Sequence, residues 1–221
     1  MTDIEIKTWQ LRFIAWLQAN WLQSDSAHDI HHLHKVWHNV GKIISLENNA
    51  AADRLVLVAA TYFHDLVSFP KDHPERNLSS LASADKTVNI LKAEFNDFPA
   101  SKIPAVHHAI HAHSFSANVI CNSFEAMVLQ DGDRLEALGA TGIARLFYTA
   151  GKMNTAMYDP SDPLALNRKP DDKKFALDHI GIKLLKISET MKTKAGQLLA
   201  ETEIAFVKTF AGKLADEIQL R

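Results

Sequence analysis

Along most of this chain, apolar residues recur at intervals of three and four, the spacing that lines one face of an α-helix. The pattern predicts helices near 2–22, 29–46, 50–66, 79–95, 101–113, 118–130, 140–153, 172–187 and 195–219. Between some of them lie "SFPKDHPERN" and "YDPSDPLALNRKPDD", loops in which Pro, Asp and Lys interrupt the period. No alternating stretch long enough for a strand intervenes, and there is no repeat or low-complexity tract. The expectation is an all-α fold, a single domain over residues 1–221.

Two segments depart from simple amphipathicity. "LVLVAATYFHDLV", residues 55–67, is apolar nearly all round, which marks a helix buried on every side. It nevertheless ends in His64 and Asp65, and a buried carboxylate is costly unless a metal or another cation compensates it. In "SFEAMVLQDGDRLEAL", Asp131 falls in phase with Met127 and Leu135. Asp133 lies about 200° further round if the helix continues, where it can face water. One of the two acids therefore points inward, and Gly132 suggests a break beside it.

The segment "HDIHHLHKVWH", residues 28–38, concentrates five of the twelve histidines. Helical spacing sorts them: His28 and His32 share a face, with Lys35 and Val36 one turn beyond His32. His31, His34 and His38 form another, more solvated row. Asp29, just ahead of the periodic run, suits a helix N-cap. Taken singly, most of these histidines read as surface or cap residues. Taken together, His32, His64, Asp65 and Asp131 supply two imidazoles and two carboxylates from three helices, a donor set that suits a divalent cation.

Bulk composition narrows the partners. The formal charge of -2 exerts no general pull on nucleic acid or anionic membrane. The single cysteine, Cys121, excludes an internal disulfide and fits a reducing compartment. The N-terminal "MTDIEIKTWQLRFIAWLQANWL" carries acids early and does not read as a secretory signal. No apolar run approaches the roughly 20 residues of a spanning helix. A cytoplasmic protein is expected, a monomer or homodimer, with neither nucleic acid nor membrane as partner.

The order "HDIHHLHKVW", "YFHDLV", "QDGDRLEALGA" resembles the HD superfamily of metal-dependent phosphohydrolases. "HPERNLSS", "HAIHAHSFS", "DGDRLEALGATGIAR" and the later "LDH" are similar to a bacterial branch of nucleotide pyrophosphohydrolases, so the resemblance runs from about residue 5 to residue 210. It implies an HD-type helical bundle with the metal site between central helices. The metal-binding core would span about 25–135, with C-terminal helices at about 140–219 packing on it.

By position, the resemblance makes His32, His64, Asp65 and Asp131 the metal ligands. It also implies Mn2+ as the preferred ion, with Mg2+, Co2+, Ni2+, Zn2+ or Fe as the others such a set accepts. The implied reaction is hydrolysis of a nucleoside triphosphate to monophosphate and pyrophosphate, and the implied partner is a small nucleotide or phosphate ester. Lys35 stands where the family commonly has arginine, which keeps the charge but loses the two-pronged grip on phosphate.

Lys71, His73 and Arg76 form a cationic loop after the His-Asp pair, a candidate phosphate clamp or a solvated turn. Arg134 is a further candidate phosphate contact. His108 and His113 are candidates for substrate contact or a second ion, and His113 is in phase with Val106 and Ile110. The general base is open between Asp65, Asp133 and a histidine. Neutral imidazole ligands imply activity that falls on the acid side of about pH 6.5. Competing readings are a 5'-nucleotidase or phosphodiesterase of the same superfamily, a di-iron oxygenase using His108 and His113, and a non-catalytic nucleotide or metal sensor.

Overall fold

The computed structural model describes residues 1–21, 29–49, 51–69 and 73–218. Among these the fold is all-α, with nine α-helices, short 3-10 turns and one isolated bridge between Ala156 and Phe175. No helix among the described residues is long and apolar enough to cross a membrane. The chain divides into two compact units, Met1–Asp133 and Arg134–Arg221.

The first unit contains α1 (Asp3–Asn20), α2 (Ile30–Glu47), α3 (Arg54–Phe63), α4 (Ser79–Glu94), α5 (Ile103–His113) and α6 (Phe124–Glu136) up to Asp133. Its centre is α3, which packs against α1, α2 and α5. Every residue from Leu55 to Phe63 is buried, as the all-round apolar pattern requires. On the α1 side, Phe13 meets Phe63 and Phe95 edge-on, each at 5.0 Å between ring centres, and Trp9 and Phe98 extend the cluster. This aromatic layer makes α3 a rigid base for what its C-terminal end carries.

Start signals fix the register of the site helices. Asp29 is the N-cap of α2, its Oδ1 accepting the N–H groups of His31 (2.9 Å) and His32 (3.0 Å). Asp53 caps α3 in the same way through Leu55 and Val56.

Two expected helices differ. The one predicted at 118–130 lies at 124–136, because Asn118 takes a left-handed conformation (φ 52°) and the Ser123 hydroxyl then accepts the Ala126 N–H to start a new helix. Gly132 does not break it, and α6 runs on to Glu136.

The second unit holds α7 (Gly139–Lys152), α8 (Asp178–Ile182) and α9 (Lys194–Ile218), with α7 packed on α9. The helix predicted at 172–187 shrinks to α8 followed by 3-10 turns. The N–H groups of Ala176 and Leu177 bond instead to the carbonyls of Ala156 and Met157. Arg168 grips the buried Asp178 carboxylate with two bonds of 2.6 and 2.8 Å. These tertiary bonds outcompete the start of a longer helix.

Candidate metal centre

Three helices of the first unit deliver the site. His32 comes from the first turn of α2, His64 is the C-cap of α3 with Asp65 next to it, and Asp133 comes from α6. The Nε2 atoms of His32 and His64 stand 3.2 Å apart. Asp65 Oδ2 lies 3.5 Å from each of them. Asp133 Oδ1 lies 3.6 Å from His32 Nε2 and 3.8 Å from His64 Nε2.

His32, His64 and Asp65 suit a single ion, with Asp133 beside the two imidazoles. With bonds of about 2.1 Å, neighbouring ligand atoms stand about 3.0 Å apart in octahedral geometry and about 3.4 Å apart in tetrahedral geometry. The protonation pattern agrees. His64 Nδ1 is 2.8 Å from the Thr61 carbonyl, which can only accept, so the ring proton sits on Nδ1 and the Nε2 lone pair faces the centre. Two buried imidazole nitrogens at 3.2 Å beside two carboxylates form a place for a cation. Among the described residues, His32, His64 and Asp65 bring one ligand atom each within 4.8 Å of one another.

Electrostatics follow from burial and from this crowding. Burial holds the His64 pKa down at about 4, helped by His113 and His32 and opposed by Asp65 and Asp133. Burial alone would raise Asp65, but the charges and hydrogen bonds of His64, His113 and His32 hold it well below the ordinary carboxylate range. His64 is therefore neutral and Asp65 anionic at neutral pH, the states that bind a cation.

Of the acids on α6, the sequence singled out Asp131, and the structure also brings Asp133 to the imidazoles. Asp131 is indeed inward and fully buried, while the Asp133 side chain keeps 30% exposure and Asp65 keeps 19%. Asp133 thus keeps the open side that a site admitting substrate needs.

The other expected residues separate. His113, the last residue of α5, reaches the centre: its Nε2 is 3.6 Å from Asp65 Oδ1, and its ring meets His64 edge-on at 4.8 Å. Its Nδ1 donates to the Ile110 carbonyl at 2.6 Å. Burial opposes protonation of His113, but the hydrogen bond and charge of Asp65 outweigh it and raise the pKa. His108 turns elsewhere, its Nε2 accepting the Asn122 N–H at 3.4 Å. Lys35 is half-buried on α2 and Arg76 is exposed. Arg134 donates to the Thr190 carbonyl within the second unit. His28 and Lys71 lie outside the described residues. His31, His34 and His38 are exposed, as expected for the peripheral row.

Two features of the site were missed. Ser83 clamps the segment leaving Asp65, its hydroxyl accepting Val67 N–H (3.0 Å) and donating to Val67 O (3.1 Å), while Ser79 accepts Phe69 N–H (3.1 Å). Asn39 donates to the Gly132 carbonyl at 3.0 Å, tying α2 to α6. "HPERNLSS" displayed the first pair of serines of that helix, but nothing local distinguished Asn39.

Residues 29–138 match the HD domain. The chain carries an HD domain, the mark of a metal-dependent phosphohydrolase. Among its relatives is the YpgQ protein of Bacillus subtilis, 29% identical over 207 residues that cover 92% of this chain and 90% of YpgQ. The crystal structure of YpgQ in complex with ADP superposes with a TM-score of 0.70 at 28% identity, covering 96% of this chain and 98% of that one. An HD-superfamily hydrolase from Bacillus thuringiensis shares the fold, with a TM-score of 0.71 at 24% identity over 99% of both chains.

Proposed function

We propose that this protein is a Mn2+-dependent hydrolase of a small nucleotide, cutting a nucleoside triphosphate to monophosphate and pyrophosphate. The observation that carries the reading is the convergence of His32, His64, Asp65 and Asp133 on one partly open point. These four residues would hold the ion. A divalent ion bound there supplies polarisation of a phosphoryl oxygen and a lowered pKa for water. The ADP bound by YpgQ supports a nucleotide as ligand.

The chain's own residues divide the remaining work. His64 offers neutral imidazole nitrogen, His32 turns its Nε2 to the same point, and Asp65 turns Oδ2 to the centre and Oδ1 to His113. His113, its pKa raised against burial by Asp65, stands beside the centre with Nε2 toward Asp65 Oδ1 and Nδ1 held by the Ile110 carbonyl. Lys35 on α2 and Arg76 in the loop after the His-Asp pair add charge for the phosphate chain, with Lys71 as the further expected member of that clamp. His108 bonds to the Asn122 backbone, which counts against the di-iron reading, since that needs both His108 and His113 as ligands.

The test is a panel of nucleoside mono-, di- and triphosphates and simple phosphomonoesters with Mn2+, Mg2+ and Co2+, with products separated by ion exchange. Pyrophosphate and a monophosphate appearing together, fastest with Mn2+, is the expected outcome. Orthophosphate as the only product would replace the pyrophosphohydrolase reading with a nucleotidase. Binding of nucleotide without turnover of any substrate would leave a sensor.

A further inference from the structure

The metal centre draws donors from α2, α3 and α6, and one joint sets the spacing between α2 and α6. Asn39 lies seven residues beyond His32, two turns along the same face of α2, and is buried to 5% exposure. Its Nδ2 donates to the carbonyl of Gly132, the residue between Asp131 and Asp133. At the same point the two helices touch. A Cβ on Gly132 would stand 2.8 Å from Val40 Cγ2 and 3.4 Å from both Val36 O and Val40 N. Asp133, one residue on, then places Oδ1 at 3.6 Å from His32 Nε2.

We infer that Asn39 is a positioning residue for the metal centre: by holding the Gly132 carbonyl it fixes the distance at which the Asp133 carboxylate opposes the His32 imidazole. The inference rests on the ligand set proposed above. Close packing at Gly132 limits how near α6 can approach, but packing alone does not stop it from sliding or tilting away. A directional amide-to-carbonyl bond does. Ligand atoms must sit within about 0.2 Å of their ideal distances to bind a metal well, so a small relaxation of this joint reaches the ion. Residues that orient ligands in this way typically change metal affinity by 10–100-fold when removed.

Asn39 also satisfies a buried carbonyl, so a purely structural role must be separable. Two variants remove the donor without emptying the space: Asn39→Leu has similar volume, and Asn39→Asp keeps the shape but offers only acceptors. Ile6→Val on α1, which packs on α3, is buried at 2% exposure and serves as the control for a general loss of stability. Each metal-stripped protein is titrated with Mn2+ by calorimetry, and its thermal unfolding is recorded without metal.

Mn2+ binding ten- to a hundredfold weaker in Asn39→Leu and Asn39→Asp, with Ile6→Val binding like the parent, supports the inference. If the leucine variant does not fold, the aspartate variant decides alone. Affinity within twofold of the parent in the folded Asn39 variants overturns it, as does an equal loss of affinity in Ile6→Val. A parent that takes up no Mn2+ removes the ligand assignment itself, and the inference with it.

Discussion

Gly132→Ala tests whether α2 and α6 are in hard contact beside the metal centre. Alanine is the better helix former by about 1 kcal/mol, so propensity alone makes the variant more stable. The surroundings say the opposite. The new methyl would stand 2.8 Å from Val40 Cγ2, with Val36 O and Val40 N behind it at 3.4 Å. Carbon atoms pack at about 3.5–4.0 Å, so close to 1 Å must be found. Val40 is β-branched, fully buried and stiff about χ1, and cannot swing away. Overpacking of this kind costs about 1–3 kcal/mol, and subtracting the propensity gain leaves a net loss of up to about 2 kcal/mol. In a chain of this size that lowers Tm by up to about 8 °C. Gly41 is the matched control: it too is a helical glycine, in α2, but nothing stands within 4 Å of its would-be Cβ, so Gly41→Ala should gain up to about 1 kcal/mol. Urea unfolding of the metal-free proteins measures both, and Mn2+ titration measures the displacement of Asp133. Were Gly132→Ala as stabilised as Gly41→Ala, with unchanged Mn2+ affinity, the close approach of the two helices would be refuted.

Acid should destabilise the metal-free protein through His64. Its folded pKa of about 4 lies below the ordinary 6.5, so the unfolded chain takes the proton first, and the loss accrues between pH 6.5 and 4. A gap of about 2.5 pH units at about 1.4 kcal/mol each comes to about 3.5 kcal/mol, and a stability difference between parent and His64→Gln that stays constant from pH 7 to 4.5 would contradict it. For the acids of α6, Asp133→Asn should remove Mn2+ uptake and turnover while leaving helical content, whereas Asp131→Asn should act chiefly on stability; circular dichroism with calorimetry distinguishes them, and the reverse result returns the ligand role to Asp131. Phe13→Ala, at the hub of the aromatic layer with 0% exposure, should cost about 3–5 kcal/mol in chemical unfolding, and a loss below 1 kcal/mol would deny that layer its supporting role.

What the sequence displayed well was burial. The run from Leu55 to Phe63 has no polar face, so α3 had to be central, and its His-Asp end had to lie near the middle of the fold. His113 was legible as inward from its phase with Val106 and Ile110. The misreadings have a common cause. His108 is set by a bond to Asn122, and the start of α6 by the left-handed turn at Asn118, neither of which a periodicity can show. Gly132 looked like a helix break because glycine lowers propensity, when its role is to let α6 approach Val40. Asp131 was favoured over Asp133 because it lies in phase with the core, and no spacing shows that Asp133 also comes to the imidazoles.

The deeper regularity is at the helix ends. His64 closes α3 and His113 closes α5, and each donates Nδ1–H to the carbonyl three residues back, Thr61 and Ile110 respectively. Those carbonyls belong to the last turns, which have no later N–H of their own helix to accept. One hydrogen bond therefore satisfies a buried helix end and fixes a ring so that Nε2 faces outward from the helix. No carboxylate is needed to orient either imidazole, which leaves Asp65 with one oxygen for the centre and one for His113. Both helix C-termini also carry partial negative charge, which favours a cation at their ends. The same local geometry that terminates two core helices thus orients two imidazoles at the centre and makes it attractive to a positive ion, so the metal centre is built from the way the helices stop.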